Sequence, residues 1–307
     1  MSIYVVGHKN PDTDSVASAI AYAALKKAMG EDAVPAMQGD LNPETKMVLD
    51  KFGFSAPEML KDGAGKKIIL VDHSDIAQAP DNIGQAEIVE IVDHHKIGDI
   101  TTNNPIFFCA QPVGCTGTVL KQLFEINNVE IPKNVAGIML SAILSDTVLF
   151  KSPTTTERDK QACEGLAKIA GVSDMEALAM EMFKAKSAVQ GVPAKDLLFR
   201  DYKDFDMAGK KVGCGQLEMV DLSLVDDVRD DLYAAMQAVK SEGRHTVLLM
   251  LTDIMKEGTD LMVVSDDPSY VEKAFNVQMG GKKSVWIDGM MSRKKQTIPP
   301  LQAAFSA

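Results

Sequence analysis

The sequence contains no apolar run that approaches the roughly 20 residues needed for a helix to span a membrane. Its N-terminus also lacks the basic region and the cleavage site of a secretory signal peptide. We therefore expect a cytoplasmic protein that does not associate with membranes. The chain of 307 residues, of which 46% are apolar and 24% charged, is long enough for two globular domains of ordinary size.

Cysteine is also scarce, which excludes a fold held together by disulfide bonds. The four cysteines show no C-x-x-C spacing and are too sparse for a disulfide framework. We interpret them as reduced thiols in or near the core. They are Cys109, Cys115, Cys163 and Cys214.

Positive charge is in deficit, with 32 basic against 43 acidic side chains and a formal net charge of −11. This balance argues against broad binding to nucleic acid or to anionic membranes. Residues 282–295 are an exception, because they hold several basic side chains against Asp288 alone. Taken by itself, such a run is more often a solvated surface than a binding site. Its basic residues are Lys282, Lys283, Arg293, Lys294 and Lys295.

The most informative stretch is residues 87–95, which read EIVEIVDHH. Its β-branched residues favour a strand that is buried on both faces, as in a parallel sheet covered by helices. Open α/β sheets bind ligands at the carboxyl ends of their strands. Because this strand ends in Asp93, His94 and His95, we expect a functional site there.

Three other apolar segments end in the same kind of residue. The strand predicted over residues 3–6 runs into a loop, and a strand over 67–71 and an apolar segment over 135–144 each end in an acid. Together with His94 and His95, four of the five histidines lie at the ends of these segments. We interpret the fifth, His245, as structural. The polar residues that follow the three segments are His8, Asp12 and Asp14, then Asp72 and His73, then Asp146.

The alternation of strands and helices predicts an α/β domain over residues 1–189. The break at residues 191–193 predicts a linker or hinge at 190–194, and the pattern over 195–307 changes to that of a smaller α+β domain. The first domain should contain a parallel sheet with helices on both faces. Ser15 is the predicted N-cap of a helix over 16–29. In the second domain we predict a strand over 197–205 and a helix over 225–241.

A loop rich in small residues, 114–118, should open a further helix. Small residues at a helix N-terminus could let a phosphate approach the backbone. An ordinary tight turn into a helix explains the same residues equally well. Another capping pattern, Thr156 with Asp159, predicts a capping box at the start of a scaffold helix.

The clustered carboxylates and imidazoles predict a metal centre. This donor set suits Mn²⁺, Co²⁺, Zn²⁺ or Fe²⁺ better than Ca²⁺, and the excess of carboxylates over thiolates disfavours structural zinc. Two cations about 3.5–4 Å apart can clamp the attacking and leaving oxygens and turn a bridging water into hydroxide. The chemistry expected is phosphoryl transfer or phosphoester hydrolysis. The candidate ligands are His8, Asp12, Asp14, Asp72, His94 and Asp146.

Residues 93–95, with the motifs at 7–15, 72–74 and 145–147, resemble the DHH phosphoesterase superfamily. The SRKKQ segment at 292–296 is similar to that of the family II, manganese-dependent inorganic pyrophosphatases. The resemblance covers essentially the whole chain. It implies an N-terminal parallel-sheet DHH domain, a smaller C-terminal α/β domain of the DHHA2 type, and an active site in the cleft between them.

The same resemblance implies hydrolysis of inorganic pyrophosphate to two orthophosphates, with a hydroxide that bridges two Mn²⁺ or Co²⁺ ions as nucleophile. It also implies Mg²⁺ with the substrate and a homodimeric protein. The implied ligands of one ion are His8, Asp12, Asp72 and Asp146, and those of the other are Asp14, Asp72, His94 and Asp146. Asp72 and Asp146 would thus bridge the two ions.

The remaining implied roles concern the substrate. His95 would act as hydrogen-bond donor or general acid, and Asp93 would orient a neighbouring imidazole. His73 matches no ligand position, and the role of Lys295 stays open. The implied phosphate-binding residues are Lys203, Arg293 and Lys294.

Three other functions compete with this one. A short-chain exopolyphosphatase of the same superfamily would keep every metal ligand. A nuclease of the RecJ type is disfavoured by the acidic balance of the chain. An inactive metal-binding or interaction module is disfavoured by the complete set of ligands.

Overall fold

The computed structural model describes residues 2–187, 189 and 191–306. The chain divides into two units, Met1–Met182 and Phe183–Ala307. This division falls shortly before the predicted linker at 190–194, of which Gln190 lies outside the described residues. Among the helices described, none combines the length and the apolar character needed to cross a membrane.

The first unit contains a six-stranded sheet in the order β3-β2-β1-β4-β5-β6, and every neighbouring pair is parallel. The parallel sheet predicted from the sequence is therefore confirmed. Strands β1 to β6 span Ile3–Lys9, Ala33–Gln38, Glu58–Met59, Lys67–Val71, Glu87–Asp93 and Phe107–Ala110. Helices α1 to α6 span Thr13–Ala28, Pro43–Phe52, Thr116–Ile126, Lys133–Asp146, Glu157–Ala170 and Met175–Lys186.

The central strands are buried on both faces, as parallel strands generally are. Val5 and Val6 of β1 are both fully buried although they point to opposite faces of the sheet. Helix α1 packs on one face and is contacted by α2, α3 and α4. On the other face, Val6 lies in a cluster with Ala79 and Ile83, which come from short 3₁₀ turns and their connections. The sequence predicted helices on both faces of the sheet. In the structure, α-helices cover one face, and 3₁₀ turns with loops cover the other.

The prediction that Ser15 caps the first helix is wrong. Helix α1 begins at Thr13, and the carboxylate of Asp12 is the N-cap, accepting a hydrogen bond of 2.9 Å from the backbone N–H of Ser15. Asp and Ser are comparably good N-caps, so the residue type alone did not decide between them. The earlier start places Asp14 inside the first turn of the helix.

The second unit contains a five-stranded sheet in the order β11-β10-β9-β8-β7, in which only the β8–β9 pair is parallel among the described strands. Its strands β7 to β11 span Tyr202–Met207, Lys210–Met219, Thr246–Asp253, Gly258–Ser265 and Ser284–Asp288. Its helices α7 to α10 span Ala194–Phe199, Arg229–Ser241, Ser269–Phe275 and Ile298–Ser306. Apolar residues of α8 cover one face, and those of α9 and α10 cover the other.

Two predictions in this unit need correction. The strand expected over 197–205 is wrong in its first half, because α7 continues to Phe199 and β7 begins at Tyr202. Pro193 is the N-cap of α7, and the apolar pair Leu197 and Leu198, which is too short to distinguish a strand from a helix, is buried within this helix. The helix expected over 225–241 begins at Arg229, after a 3₁₀ segment.

Gly7 lies in β1, one residue before His8, at a point where the strand closely approaches α1. A Cβ atom at Gly7 would lie 1.9 Å from Ser15 Oγ and 2.7 Å from the Ser15 carbonyl oxygen. Because the backbone of α1 cannot give way cheaply, we expect Gly7→Ala to lower the free energy of unfolding by about 1–3 kcal/mol. The midpoint of urea unfolding, followed by circular dichroism, measures this change.

Gly84→Ala is the matched control, since a Cβ there meets nothing within 4 Å. It should unfold at the wild-type urea concentration. Equal midpoints for the two variants would show that the approach of β1 to α1 is not tight.

Candidate metal centre

The carboxyl ends of three neighbouring strands, β1, β4 and β5, place polar side chains at one edge of the first sheet. His8 lies at the end of β1, Asp72 directly follows β4, and Asp93 is the last residue of β5. Asp146 is the last residue of α4, so the apolar segment before it is a helix. The structure therefore brings together residues that the sequence placed at separate segment ends.

On one side of this cluster, the His8 ring faces two carboxylates. Its Nε2 atom lies 3.5 Å from Asp12 Oδ2 and 3.3 Å from Asp72 Oδ2. The ligating atoms of these three residues lie within 4.8 Å of one another. They form a pocket in which one cation could contact all three side chains.

On the other side, the second oxygen of Asp72 faces His94. The His94 Nε2 atom lies 3.4 Å from Asp72 Oδ1 and 3.9 Å from Asp146 Oδ2. Asp146 in turn lies within 4.8 Å of Asp14 and of the Cys115 thiol. The two oxygens of Asp72 thus face different histidines, one in each half of the cluster.

Asp14 is fully buried, and two of its hydrogen bonds come from the start of α3. Its carboxylate accepts from the backbone N–H groups of Thr116, at 2.7 Å, and Gly117, at 3.2 Å. The Ser18 hydroxyl donates a third bond of 2.8 Å. The N–H groups in the small-residue loop that the sequence left open as a phosphate site therefore bind a side chain of the protein itself.

Burial and the neighbouring charges shift the pKa values of several groups in the cluster. Burial and the repulsion of Asp72 raise the pKa of Asp14 to about 7. Burial opposes protonation of His94, but its hydrogen bond to Asp72 and the charges of Asp72 and Asp14 raise its pKa to about 9. The pKa of His8 is raised in the same way, because Asp12 and Asp72 outweigh the effect of burial. Each of these raised pKa values shows that the site is negatively charged and favours the binding of a proton or a cation.

The donor atoms suit divalent cations such as Mn²⁺. The Nδ1 atoms of His8 and His94 lie 2.8 and 3.0 Å from the backbone carbonyls of Lys9 and Val113. A carbonyl only accepts hydrogen bonds, so these Nδ1 atoms carry protons, and the Nε2 atom of each ring faces Asp72, where it can hold a proton or bind a cation. Oxygen and imidazole lone pairs that face each other repel unless a cation or a proton lies between them.

Asp93 lies behind the cluster and holds His95. Its Oδ1 atom accepts bonds from the backbone N–H of His94, at 2.8 Å, and of His95, at 3.0 Å, and from His95 Nδ1, at 2.9 Å. The side chain of His95 is about one-third exposed, whereas that of His94 is 10% exposed. His73 is buried behind the site, where its Nδ1 contacts the Val71 carbonyl at 2.9 Å.

Two of the predicted phosphate-binding residues lie near each other in the second unit. Lys203 of β7 is the register partner of Cys214 in β8. The Arg293 guanidinium donates to the Cys214 carbonyl at 3.3 Å and to the Asp201 carboxylate at 2.6 Å. Lys294, like Lys203, is exposed. The sequence did not single out Asp201, which fixes the arginine.

Sequence reasoning also missed Cys115 and Thr116 as part of the centre. Besides its N–H bond to Asp14, Thr116 donates from its hydroxyl to Asp72 Oδ1 at 3.1 Å. The loop at 114–118 was noticed for its small residues, but nothing in that pattern indicated that its donors serve two carboxylates from other segments.

Comparison with known proteins places these features in a family. The N-terminal domain of the DHH family matches residues 2–143, and the DHHA2 domain matches residues 180–304. A protein of Archaeoglobus fulgidus named as a probable manganese-dependent inorganic pyrophosphatase is 58% identical over 99% of this chain and 98% of its own length. The manganese-dependent inorganic pyrophosphatase of Methanothrix thermoacetophila is 51% identical over 99% of this chain and 98% of its own.

Among solved structures, one described as a family II inorganic pyrophosphatase from Methanococcus jannaschii superposes with a TM-score of 0.85. It is 46% identical and covers 99% of this chain and 100% of its own. A parallel sheet with aspartates and histidines at its carboxyl edge, followed by a DHHA2 domain, defines a protein of the DHH phosphoesterase class. Within that class, the chain belongs to family II, the manganese-dependent inorganic pyrophosphatases. The resemblance identified from the sequence is confirmed.

The contacts of Asp72 generate a test of its role as a bridge. We expect Asp72→Ala to abolish tight binding of both ions and His8→Ala to impair mainly one, because each oxygen of Asp72 faces a different histidine. Equilibrium dialysis with Mn²⁺ gives the number of ions bound. Asp50→Asn, an exposed change on α2, is the control and should bind as the wild type does. Two ions still bound by Asp72→Ala at sub-millimolar Mn²⁺ would contradict the bridge.

Proposed function

We propose that this chain hydrolyses inorganic pyrophosphate to two orthophosphates at a centre that holds two Mn²⁺ ions, with Co²⁺ as the alternative metal. One observation carries the proposal: the Asp72 carboxylate lies between two imidazoles, with Oδ2 3.3 Å from His8 Nε2 and Oδ1 3.4 Å from His94 Nε2. A carboxylate that has a different imidazole nitrogen beside each of its two oxygens is suited to bind one ion through each oxygen. The names of the relatives support the same activity.

Bound ions would neutralise phosphate charge and lower the pKa of the attacking water. The protein's own residues then hold the ions in place. We assign His8 and Asp12 to one ion, Asp14 and His94 to the other, and Asp72 to both. Asp146 is the second shared ligand in this assignment, and its distance of 3.9 Å from His94 supports its place beside the second ion.

His95 is proposed to donate a hydrogen bond or a proton to the leaving phosphate. Its Nδ1 atom is bound to Asp93, which leaves Nε2 as the atom available to the substrate. Burial opposes ionisation of Asp93, but the hydrogen bond to His95 and the charge of that ring keep the pKa of Asp93 low. The ionised carboxylate fixes the orientation of the ring and keeps the Nδ1 proton in place.

Pyrophosphate concentrates negative charge in a small volume, so its hydrolysis depends on charge neutralisation and positioning. We propose that Lys203, Arg293 and Lys294 bind the phosphates, and that the substrate arrives with Mg²⁺. The guanidinium of Arg293 is held by the Asp201 carboxylate and by two backbone carbonyls. These bonds support a fixed orientation of the guanidinium for phosphate binding.

One assay tests the proposal. Phosphate release from magnesium pyrophosphate should be fast after loading with Mn²⁺ and should be abolished by chelation. Comparison with tripolyphosphate separates this activity from the exopolyphosphatase alternative, since a pyrophosphatase should strongly prefer the shorter substrate. Equal or faster release from tripolyphosphate would favour the alternative.

The contacts of His95 predict a specific kinetic defect. His95→Gln should lower kcat by about 10²–10⁴-fold, the usual contribution of a general acid, and should keep both ions. Steady-state kinetics and the Mn²⁺ content measure the two effects separately. His245→Gln, in the second unit, controls for loss of an imidazole elsewhere. Unchanged kcat in His95→Gln with normal metal content would remove His95 from the mechanism.

Lys203 offers a test of phosphate binding that spares the metal ligands. Because Lys203 is exposed, Lys203→Ala should fold normally, bind Mn²⁺ as the wild type does, and raise KM for pyrophosphate roughly tenfold through loss of a charged hydrogen bond. Lys282→Ala removes another exposed lysine of the same unit and should leave KM unchanged. The same KM for all three proteins would show that Lys203 does not bind substrate.

A homodimer formed through the first unit belongs to the same proposal. Strand β6 lies at the edge of its sheet and exposes Phe107 and Phe108, by 47% and 42% respectively. Edge strands with exposed apolar residues readily pair with a second chain. Sedimentation velocity should show a dimer for the wild type and a monomer for Phe108→Lys; a wild-type monomer at micromolar concentration would refute the dimer.

We also infer a cytoplasmic location. The four cysteines are free in the structure, which is consistent with a reducing compartment. Fractionation of cells tests this inference, and recovery of the protein outside the cytoplasmic fraction would refute it.

A further inference from the structure

We propose that Asp159, a buried carboxylate that is not among the assigned metal ligands, is a positioning residue of the metal centre and acts through the start of α3. The inference rests on the metal site proposed above. Its basis is a chain of hydrogen bonds that connects Asp159 to Asp14 and Asp72 through residues 114–118.

The first link joins the start of α3 to the ligand carboxylates. Thr116 donates its backbone N–H to Asp14 at 2.7 Å and its hydroxyl to Asp72 at 3.1 Å, so a single residue fixes two carboxylates from different segments. Gly117 adds a second backbone bond to Asp14. Thr116 and Asp14 are fully buried and Asp72 is 2% exposed, so water does not compete for these bonds.

The second link joins the same loop to Asp159. The Asp159 carboxylate accepts from the backbone N–H of Gly114 at 2.9 Å and from the Thr118 hydroxyl at 2.6 Å. Residues 114 and 118 flank the two residues that bind Asp14. Asp159 therefore holds the two ends of this short segment and Asp14 holds its middle, so a shift of Asp159 would move the donors of Asp14 and Asp72 with it.

Asp159 is itself firmly held. It closes the predicted capping box of α5, in which it accepts from both the backbone N–H and the hydroxyl of Thr156 at 2.7 Å. The packing beside it is tight, because a Cβ atom on Gly114 would lie 2.9 Å from Asp159 Oδ2 and 2.7 Å from Thr147 Cγ2. Thr147 directly follows the ligand Asp146. The loop thus has little room to move on its own.

Metal affinity depends on how well the ligands are held before the ion arrives. Loss of one hydrogen-bond partner behind a ligand typically weakens metal binding by about 10–100-fold. Asp159 holds Gly114 and Thr118, the residues on either side of two such partners, so its loss should produce an effect in this range although it is not assigned as a metal ligand.

Thr118→Val is the decisive variant, because it removes one bond to Asp159 and keeps the size of the side chain. We expect it to raise the Kd for Mn²⁺ about tenfold, the lower end of that range, and to change the electron paramagnetic resonance spectrum of bound Mn²⁺. Thr118→Ser restores the hydroxyl and should recover most of the affinity. Asp159→Asn acts on the same bonds, should also weaken binding, and provides the test if Thr118→Val does not fold. Thr116→Val removes the bond to Asp72 itself and should weaken binding as well.

Thr259→Val is the matched control. Thr259 is fully buried in the second unit, and its hydroxyl donates to the Met290 carbonyl at 2.6 Å, so the variant also loses a buried hydrogen bond. It should lower thermal stability and leave both the Kd for Mn²⁺ and the resonance spectrum unchanged.

The results separate this inference from the proposed function. If the folded Thr118→Val and Asp159→Asn variants bind Mn²⁺ with wild-type affinity and spectrum, Asp159 is only structural and the inference is overturned, while hydrolysis by the wild type still supports the function. A wild-type protein that binds no Mn²⁺ and releases no phosphate would overturn both.

Discussion

The crowding of carboxylates at one edge of the first sheet is the constraint on which the rest of the site depends. Asp12, Asp14, Asp72 and Asp146 lie close together with His8 and His94, and two of the four carboxylates are almost completely buried. Like charges in a buried place repel strongly, so the fold must supply hydrogen-bond donors and leave room for cations. Burial and this repulsion raise the pKa of Asp14, and the neighbouring carboxylates raise the pKa values of His8 and His94.

Backbone geometry supplies part of that compensation. Helix α1 is capped by Asp12 and begins at Thr13, one residue before Asp14, while the N-terminus of α3 donates two N–H groups to Asp14. Helix N-termini carry partial positive charge and favour nearby carboxylates. Asp72 has a positive φ of 63°, which is uncommon outside glycine, and a bond of 2.9 Å from its N–H to the Val92 carbonyl holds it there. Strain of this kind persists where the surrounding structure determines it.

The sequence predicted the parallel sheet and the meeting of the strand ends because both follow from local features. Apolar β-branched runs define parallel strands, and the carboxyl ends of such strands lie at one edge. The roles of Thr116 and Asp159 could not be predicted, since the bond between Thr116 and Asp14 joins residues 102 positions apart and depends on how α3 packs. Local ambiguity explains the remaining errors: Asp12 and Ser15 are equally good caps, and the apolar residues at 197–198 fit either a strand or the helix that forms.

The chemical nature of the supporting donors matters for metal binding. The groups that α3 and Ser18 present to Asp14 and Asp72 are backbone N–H and hydroxyl groups, which are neutral. A lysine or arginine in their place would hold the carboxylates as firmly, but its charge would cancel theirs and oppose the approach of a divalent cation. Neutral donors fix the position of a carboxylate and preserve its attraction for metal. The basic side chains that we propose for phosphate binding all follow residue 202 in the sequence, whereas the proposed metal ligands all precede residue 147.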